Sequence, residues 1–136
     1  MFFKIKNNNK TNDLTKVAAL LIHAARIDEN YSKDEEKIIK QSLLEIGASN
    51  LDIENILIEG KKIESDTNQI LEFTKEVKNM EESNKIIIIE TLWRIIYSNK
   101  EADMYETSLM RRLAGLLYID NKTMGDIKEK IKNQKS

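Results

Sequence analysis

The segment 86–97 limits what this chain can fold into. It runs Ile86, Ile87, Ile88, Ile89, Glu90, Thr91, Leu92, Trp93, Arg94, Ile95, Ile96, Tyr97, and nine of those twelve residues are apolar. Glu90, Arg94 and Ser98 fall four apart, so on a helix they form one narrow polar stripe on an otherwise apolar cylinder. A helix of that kind has to be buried. The isoleucines would also suit a strand. About three helical turns, however, exceed the usual strand of roughly 5–6 residues, and Glu90 precedes Arg94 at the i,i+4 spacing favoured for a helical ion pair. A membrane span needs about 20 mostly apolar residues, and Lys85 and Lys100 bracket a shorter run. The expectation is a central buried helix in an all-α domain, with Trp93 in the core and Glu90 paired with Arg94.

Composition narrows the function classes. There is no cysteine and one histidine, His23, which removes disulfides, zinc–thiolate sites and cysteine nucleophiles and leaves no His-based zinc site within one chain. Charged residues make up 33% and nearly cancel, for a net charge of −1, so the basic footprint of a nucleic-acid binder is missing. Proline is absent and only four glycines occur, which favours helix over turn-rich β structure. At 136 residues the chain reads as one domain. Its first residues lack the apolar core of a secretory signal, and a cytoplasmic location is expected.

Residues 1–11 read as a loosely ordered leader, broken at Asn7, Asn8 and Asn9, or as a short helix packed on the body through Phe2, Phe3 and Ile5. Helical periodicity then predicts helices over 13–28, 33–46, 49–63, 69–78, a central helix from about residue 82, one running to about Leu117, and a last one over 121–132 with a frayed tail at 133–136. Leu14, Val17, Ala18, Leu21, Ala24 and Ala25 form the stripe of the first helix, with His23 and Arg26 beside it. Ile38, Ile39, Leu43 and Ile46 serve the second, Leu51, Ile56, Leu57 and Ile63 the third, and Ile70, Phe73 and Val77 the fourth. Leu109, Leu113, Leu116 and Leu117 face inward on the sixth, and Ile127 and Ile131 on the seventh. Ser32 with Glu35, Asn79 with Glu82 and Asp103 with Glu106 have capping-box spacing. Ser49 opens the third helix, and Gly47 stops the second. Gly60, inside a helix, costs about 1 kcal/mol relative to Ala, which suggests a close packing or a bend there.

Two stretches align at an offset of 71 residues: Asp28 falls on Asn99, Asn30 on Glu101, Ser32 on Asp103, Glu35 on Glu106, and Ile38 and Ile39 on Leu109 and Met110. Each stretch is an apolar helix, a polar turn and an amphipathic helix. The chain therefore reads as a compact single-domain bundle of about seven helices built from two similar helix–turn–helix halves. Neither turn is an EF-hand loop. That loop needs Gly at its sixth position and Glu at its twelfth, and these are Lys33 and Ile39 in one case and Met104 and Met110 in the other. Capping and helix-dipole interaction account for the carboxylate spacing. The alternative is a divalent-cation site made of Asp28, Glu35, Asp103 and Glu106.

The helix ending near Asp28, the turn to Glu35, the repeat of that pattern from Ile95 through Glu106, and the run Leu109, Met110, Arg111, Arg112, Leu113, Ala114, Gly115, Leu116, Leu117, Tyr118 together resemble the TerB-like family, associated with bacterial tellurite resistance. The resemblance covers residues 14–131. It implies an all-helical fold with two similar halves and a non-enzymatic role in a stress-linked or metal-linked bacterial system, often within membrane-associated assemblies. Where turns in the family usually read Asp-Gly, this chain has Asp28-Glu29 and Asn99-Lys100. Asn99 takes a formal charge away from the second turn, so any divalent cation is expected to bind weakly.

The functional expectation is a binding or scaffold module, without a cofactor, that holds a protein partner on an acidic surface made by the two repeat turns, within a peripheral membrane assembly. Glu90, Arg94, Arg111 and Arg112 are further partner-binding candidates. The alternatives are a divalent-metal-binding protein, or a metal-assisted hydrolase using Glu35 and Glu106 with His23 at hand. The hydrolase lacks a visible nucleophile–base pair or phosphate-binding glycine loop. Nucleic-acid binding through Arg111 and Arg112 is disfavoured by the balanced charge.

Overall fold

A computed structural model of the chain describes residues 2–26, 33–66, 70–99 and 104–135, with the backbone alone at 2–13, 70–72, 76, 98–99, 104–107 and 135. The described residues form seven α-helices and no strand: α1 (Phe2–Ala25), α2 (Lys33–Ile46), α3 (Ile53–Asp66), α4 (Ile70–Val77), α5 (Glu82–Asn99), α6 (Met104–Leu116) and α7 (Asn121–Lys135). No described helix is long and apolar enough to cross a membrane.

The segment 86–97 is buried as its apolar circumference requires. Ile88, Ile89, Leu92, Trp93, Ile95, Ile96 and Tyr97 all lie in the core, and α5 packs on α1, α2 and α7. It shares the centre with α1, which packs on α2, α3, α4 and α5. Leu14, Val17, Ala18, Leu21, Ala24 and Ala25 are buried as expected, but so are Ala19, Leu20 and Ile22. One apolar stripe thus became an apolar cylinder. Four neighbouring helices reach it because its alanines keep it thin. Gly60 of α3 exploits this: a Cβ at that position would sit 2.8 Å from the Ala18 Cβ and 3.3 Å from the Ala19 nitrogen. The glycine marks a close helix crossing rather than a bend.

Pairings fix the helix directions. Glu36 meets Lys61, and Lys40 meets Glu54, so α2 runs antiparallel to α3. Ala18 lies against Gly60, while His23 and Arg26 meet Glu64, so α1 runs with α3 and against α2. In the second half, Lys85 near the start of α5 reaches the carbonyl of Leu117 at the end of α6. In each half the second helix therefore runs back against the first.

Helix ends follow local chemistry. Gly47 (φ 134°) ends α2; Ala48 N–H donates to Leu43 O at 2.9 Å and Gly47 N–H to Leu44 O at 3.2 Å, the paired bonds of a Schellman stop. Ser49 Oγ accepts from Asp52 N–H at 3.2 Å and leads into α3. Asp120 Oδ1 accepts from Thr123 N–H at 2.6 Å and caps α7, which starts where the periodicity put it.

Several boundaries differ from expectation. The helix assigned to 13–28 begins at Phe2 and includes the leader; three asparagines weaken a helix by well under 1 kcal/mol each, and no proline or glycine is there to stop it. The tail is helical through Lys135. Leu51 is 91% exposed because it sits in the turn before α3, and Ile53 takes its place in the core. Asn79 does not open α5: its Nδ2 donates to the Lys75 carbonyl at 3.4 Å, serving the end of α4, while Glu81 O accepts from Asn84 and Lys85 in the first turn of α5.

Candidate functional site

The acidic first turn of α2 is the described part of the expected carboxylate site. Asp34, Glu35 and Glu36 stand in a row there, where the exposed N–H groups of a helix start favour negative charge. Their fates differ by helical phase. Asp34 points to solvent, while Glu36 accepts from Lys61 Nζ at 2.9 Å. Glu35 is only 1% exposed. It opens the buried stripe Glu35, Ile39, Ser42, Leu43, spaced four, three and one residues apart. Ser42 Oγ on that stripe shares a 2.7 Å hydrogen bond with Thr91 Oγ1 of α5, and Thr91 Oγ1 also lies 2.7 Å from the Ile87 carbonyl. A buried carboxylate needs a partner, and Glu35 is not left without one.

The other members of the set are not described to the same extent. Asp28, Asn30 and Ser32 fall in residues 27–32, and Glu101 and Asp103 in residues 100–103, all outside the described residues. Glu106 lies on α6, with its backbone alone described. Among the described residues no group of three or more His, Asp or Glu side chains could hold a metal ion.

The polar stripe of α5 departs from expectation. Glu90 does not pair along its own helix with Arg94. Its carboxylate accepts from Lys130 Nζ of α7 at 2.6 Å, and the Glu90 side chain is 13% accessible. The physical reason is the packing of α7 across α5, which brings a long cationic side chain over the stripe and displaces the local i,i+4 partner. The stripe is therefore not an open groove at Glu90. Arg94 is half-buried, and Arg111 and Arg112 are exposed on α6.

His23 is half-buried on α1. Its Nδ1 is 3.4 Å from Glu64 Oε2, and Arg26 Nη1 donates to Glu64 Oε1 at 2.5 Å. The His23 ring is 6.1 Å from that of Phe73. One carboxylate thus ties both polar neighbours of the α1 stripe to the end of α3. Sequence spacing had no means of supplying Glu64, since the partners lie 41 and 38 residues away. For the same reason it joined Arg111 to none of Trp93, Asn121 or Lys128, with which it lines a cleft between α5, α6 and α7.

A family model described as tellurite resistance protein TerB matches residues 14–129. Neither the curated proteins nor the solved structures contain a significant match.

Proposed function

The chain belongs to the TerB family of tellurite resistance proteins, and on that premise we propose that it is a non-enzymatic binding module of a stress-response system. It holds a protein partner carrying a basic patch on an acidic surface around the α1–α2 and α5–α6 connections, within an assembly at the membrane periphery. The observation that supports this reading is the first turn of α2. Three consecutive carboxylates occur there, and they are treated differently: one is sunk into the core, one is tied to Lys61, and Asp34 is left in water. Ionised groups are expensive to bury, so a helix start that anchors one acid and presents the next is built for placement rather than solubility. The repeat puts Asp103 and Glu106 at the corresponding start of α6.

The test is tellurite survival in a host that depends on this chain. The neutralised variant Asp28→Asn, Asp34→Asn, Asp103→Asn should keep the wild-type melting temperature and lose tolerance. Unchanged tolerance would count against the acidic surface. Calorimetric titration with calcium, magnesium and zinc separates the metal reading: tight binding abolished by Asp28→Asn or Glu106→Gln would replace recognition of a protein by recognition of a cation.

A further inference from the structure

A cleft of about 250 Å³ opens between α5, α6 and α7, lined by Trp93, Met110, Arg111, Asn121, Met124, Gly125 and Lys128. Its lining divides by chemistry. Trp93, Met110 and Met124 are buried and give it an apolar floor. Arg111, Lys128 and Asn121 stand at its edge, and no carboxylate lines it. Lys128 Nζ lies 5.4 Å from the centre of the Trp93 ring, over the face where a cation is held by the ring's negative charge. Neither Arg111 nor Lys128 has a salt-bridge partner among the described residues, although other lysines and arginines there do. Trp93 is 2% exposed, and its indole Nε1–H is the buried side-chain donor that has no hydrogen-bond acceptor among the described residues. Such a donor is usually paired in a native core.

We propose that this cleft binds a small organic anion with a flat apolar body, of the aryl carboxylate class. Two cations without salt-bridge partners, at the edge of a cleft that no carboxylate lines, call for acceptor oxygens carrying negative charge. The methionines of the floor call for an apolar body, and methionine adapts its shape to aromatic rings. The volume is below the roughly 300–1,000 Å³ of pockets for drug-sized ligands, which selects a single ring. Gly125 keeps the space open: nothing lies within 4 Å of the position its Cβ would take. The site is separate from the acidic surface proposed above and does not depend on it.

Trp93 is the sole tryptophan, so the cleft carries its own probe. The experiment titrates the full chain with benzoate, benzamide, benzylamine and inorganic phosphate, following Trp93 fluorescence and its indole N–H resonance. Benzoate should bind roughly tenfold or more tightly than benzamide, the ratio expected for one charge-assisted hydrogen bond, and should shift the indole resonance. Lys128→Met should weaken benzoate by a similar factor. Gly125→Leu, which fills the cleft from a position with room for a side chain, should abolish binding without lowering the melting temperature. Benzamide or benzylamine binding as well as benzoate, phosphate alone binding as well, absent spectral change, or unaltered binding by Gly125→Leu would each overturn the proposal.

Discussion

Gly60 and Ala18 meet across α3 and α1 with no room for another methyl group: the Cβ that alanine would place at Gly60 falls 2.8 Å from the Ala18 Cβ. Helix propensity alone makes Gly60→Ala favourable by about 1 kcal/mol. Overpacking a core typically costs about 1–3 kcal/mol, and here the obstacle is a short side chain fixed to a buried backbone, which cannot swing aside. Gly60→Ala should therefore destabilise the fold in urea titration. Ala18→Gly added to it should recover part of the loss, a coupling that a double-mutant cycle measures.

Trp93 stacks on Tyr97, with ring centres 5.9 Å apart, inside the core. Trp93→Ala should cost about 3–5 kcal/mol. Trp93→Phe should cost much less, because it removes the unpaired indole N–H along with some of the volume. Both variants remove the N–H and only Trp93→Ala empties the ring site, so the difference in melting between them measures the packing of the ring. Equal losses would show that the ring's volume is not what the core needs at this position.

The end of α6 uses an unusual residue. Tyr118, 71% exposed, adopts φ 58°, where Ile119 N–H donates to Ala114 O at 2.9 Å and Tyr118 N–H to Gly115 O at 3.4 Å. That is the helix stop normally given to glycine. Lys85, 7% exposed, donates from Nζ to the last-turn carbonyl of Leu117 at 3.1 Å and lies 5.9 Å from the Tyr118 ring centre. A left-handed non-glycine residue costs about 1–2 kcal/mol, and an exposed cation–π contact returns about 0.5–1. Tyr118→Gly should thus be neutral to slightly stabilising. Lys85→Met, which leaves the Leu117 carbonyl without its donor, should lose about 1–3 kcal/mol. Chemical denaturation of the two variants checks both signs.

Asp120 gives a pH signature. Its carboxylate takes the backbone N–H of Thr123, with further help from the Thr123 side chain, and this holds its pKa below the ordinary aspartate range. A folded pKa below the unfolded one means stability that is present above the unfolded value and is lost as pH falls through the folded value. Asp120→Asn keeps an acceptor at the cap but gives up the charge. Wild type should melt higher than Asp120→Asn at neutral pH, and the gap should close in acid. A gap that persists at low pH would point to something other than the carboxylate.

What periodicity could show was local. The burial of α5, the stop at Gly47 and the tight approach at Gly60 followed from apolar phase and from the steric meaning of glycine, and the structure has them all. Phase also predicts that Ile39 and Leu43 point inward, but it is blind to the polar Glu35 on the same stripe, because a carboxylate in the core reads as a capping residue. Cross-helix partners were out of reach. Glu90 had a plausible local partner in Arg94, and only the placement of α7 reveals Lys130 as the one it takes. Leu51 is exposed against expectation, because hydrophobicity alone does not say that a turn has already left the core. The cleft beside Trp93 draws single residues from three helices at no fixed spacing, so no motif could announce it.

On the proposal above, the start of α2 presents its acids to a protein. The most direct test is photo-crosslinking in cells under tellurite, with the crosslinker at position 34 in one variant and at position 51 in another. Asp34 and Leu51 are both exposed; Asp34 lies in the first turn of α2 and Leu51 in the turn before α3, beyond the other end of α2. A discrete protein adduct is expected from position 34 and none from position 51, with the first lost when Asp28→Asn and Asp103→Asn are introduced. An adduct from position 51 alone, or one from position 34 that survives removal of those charges, would contradict it.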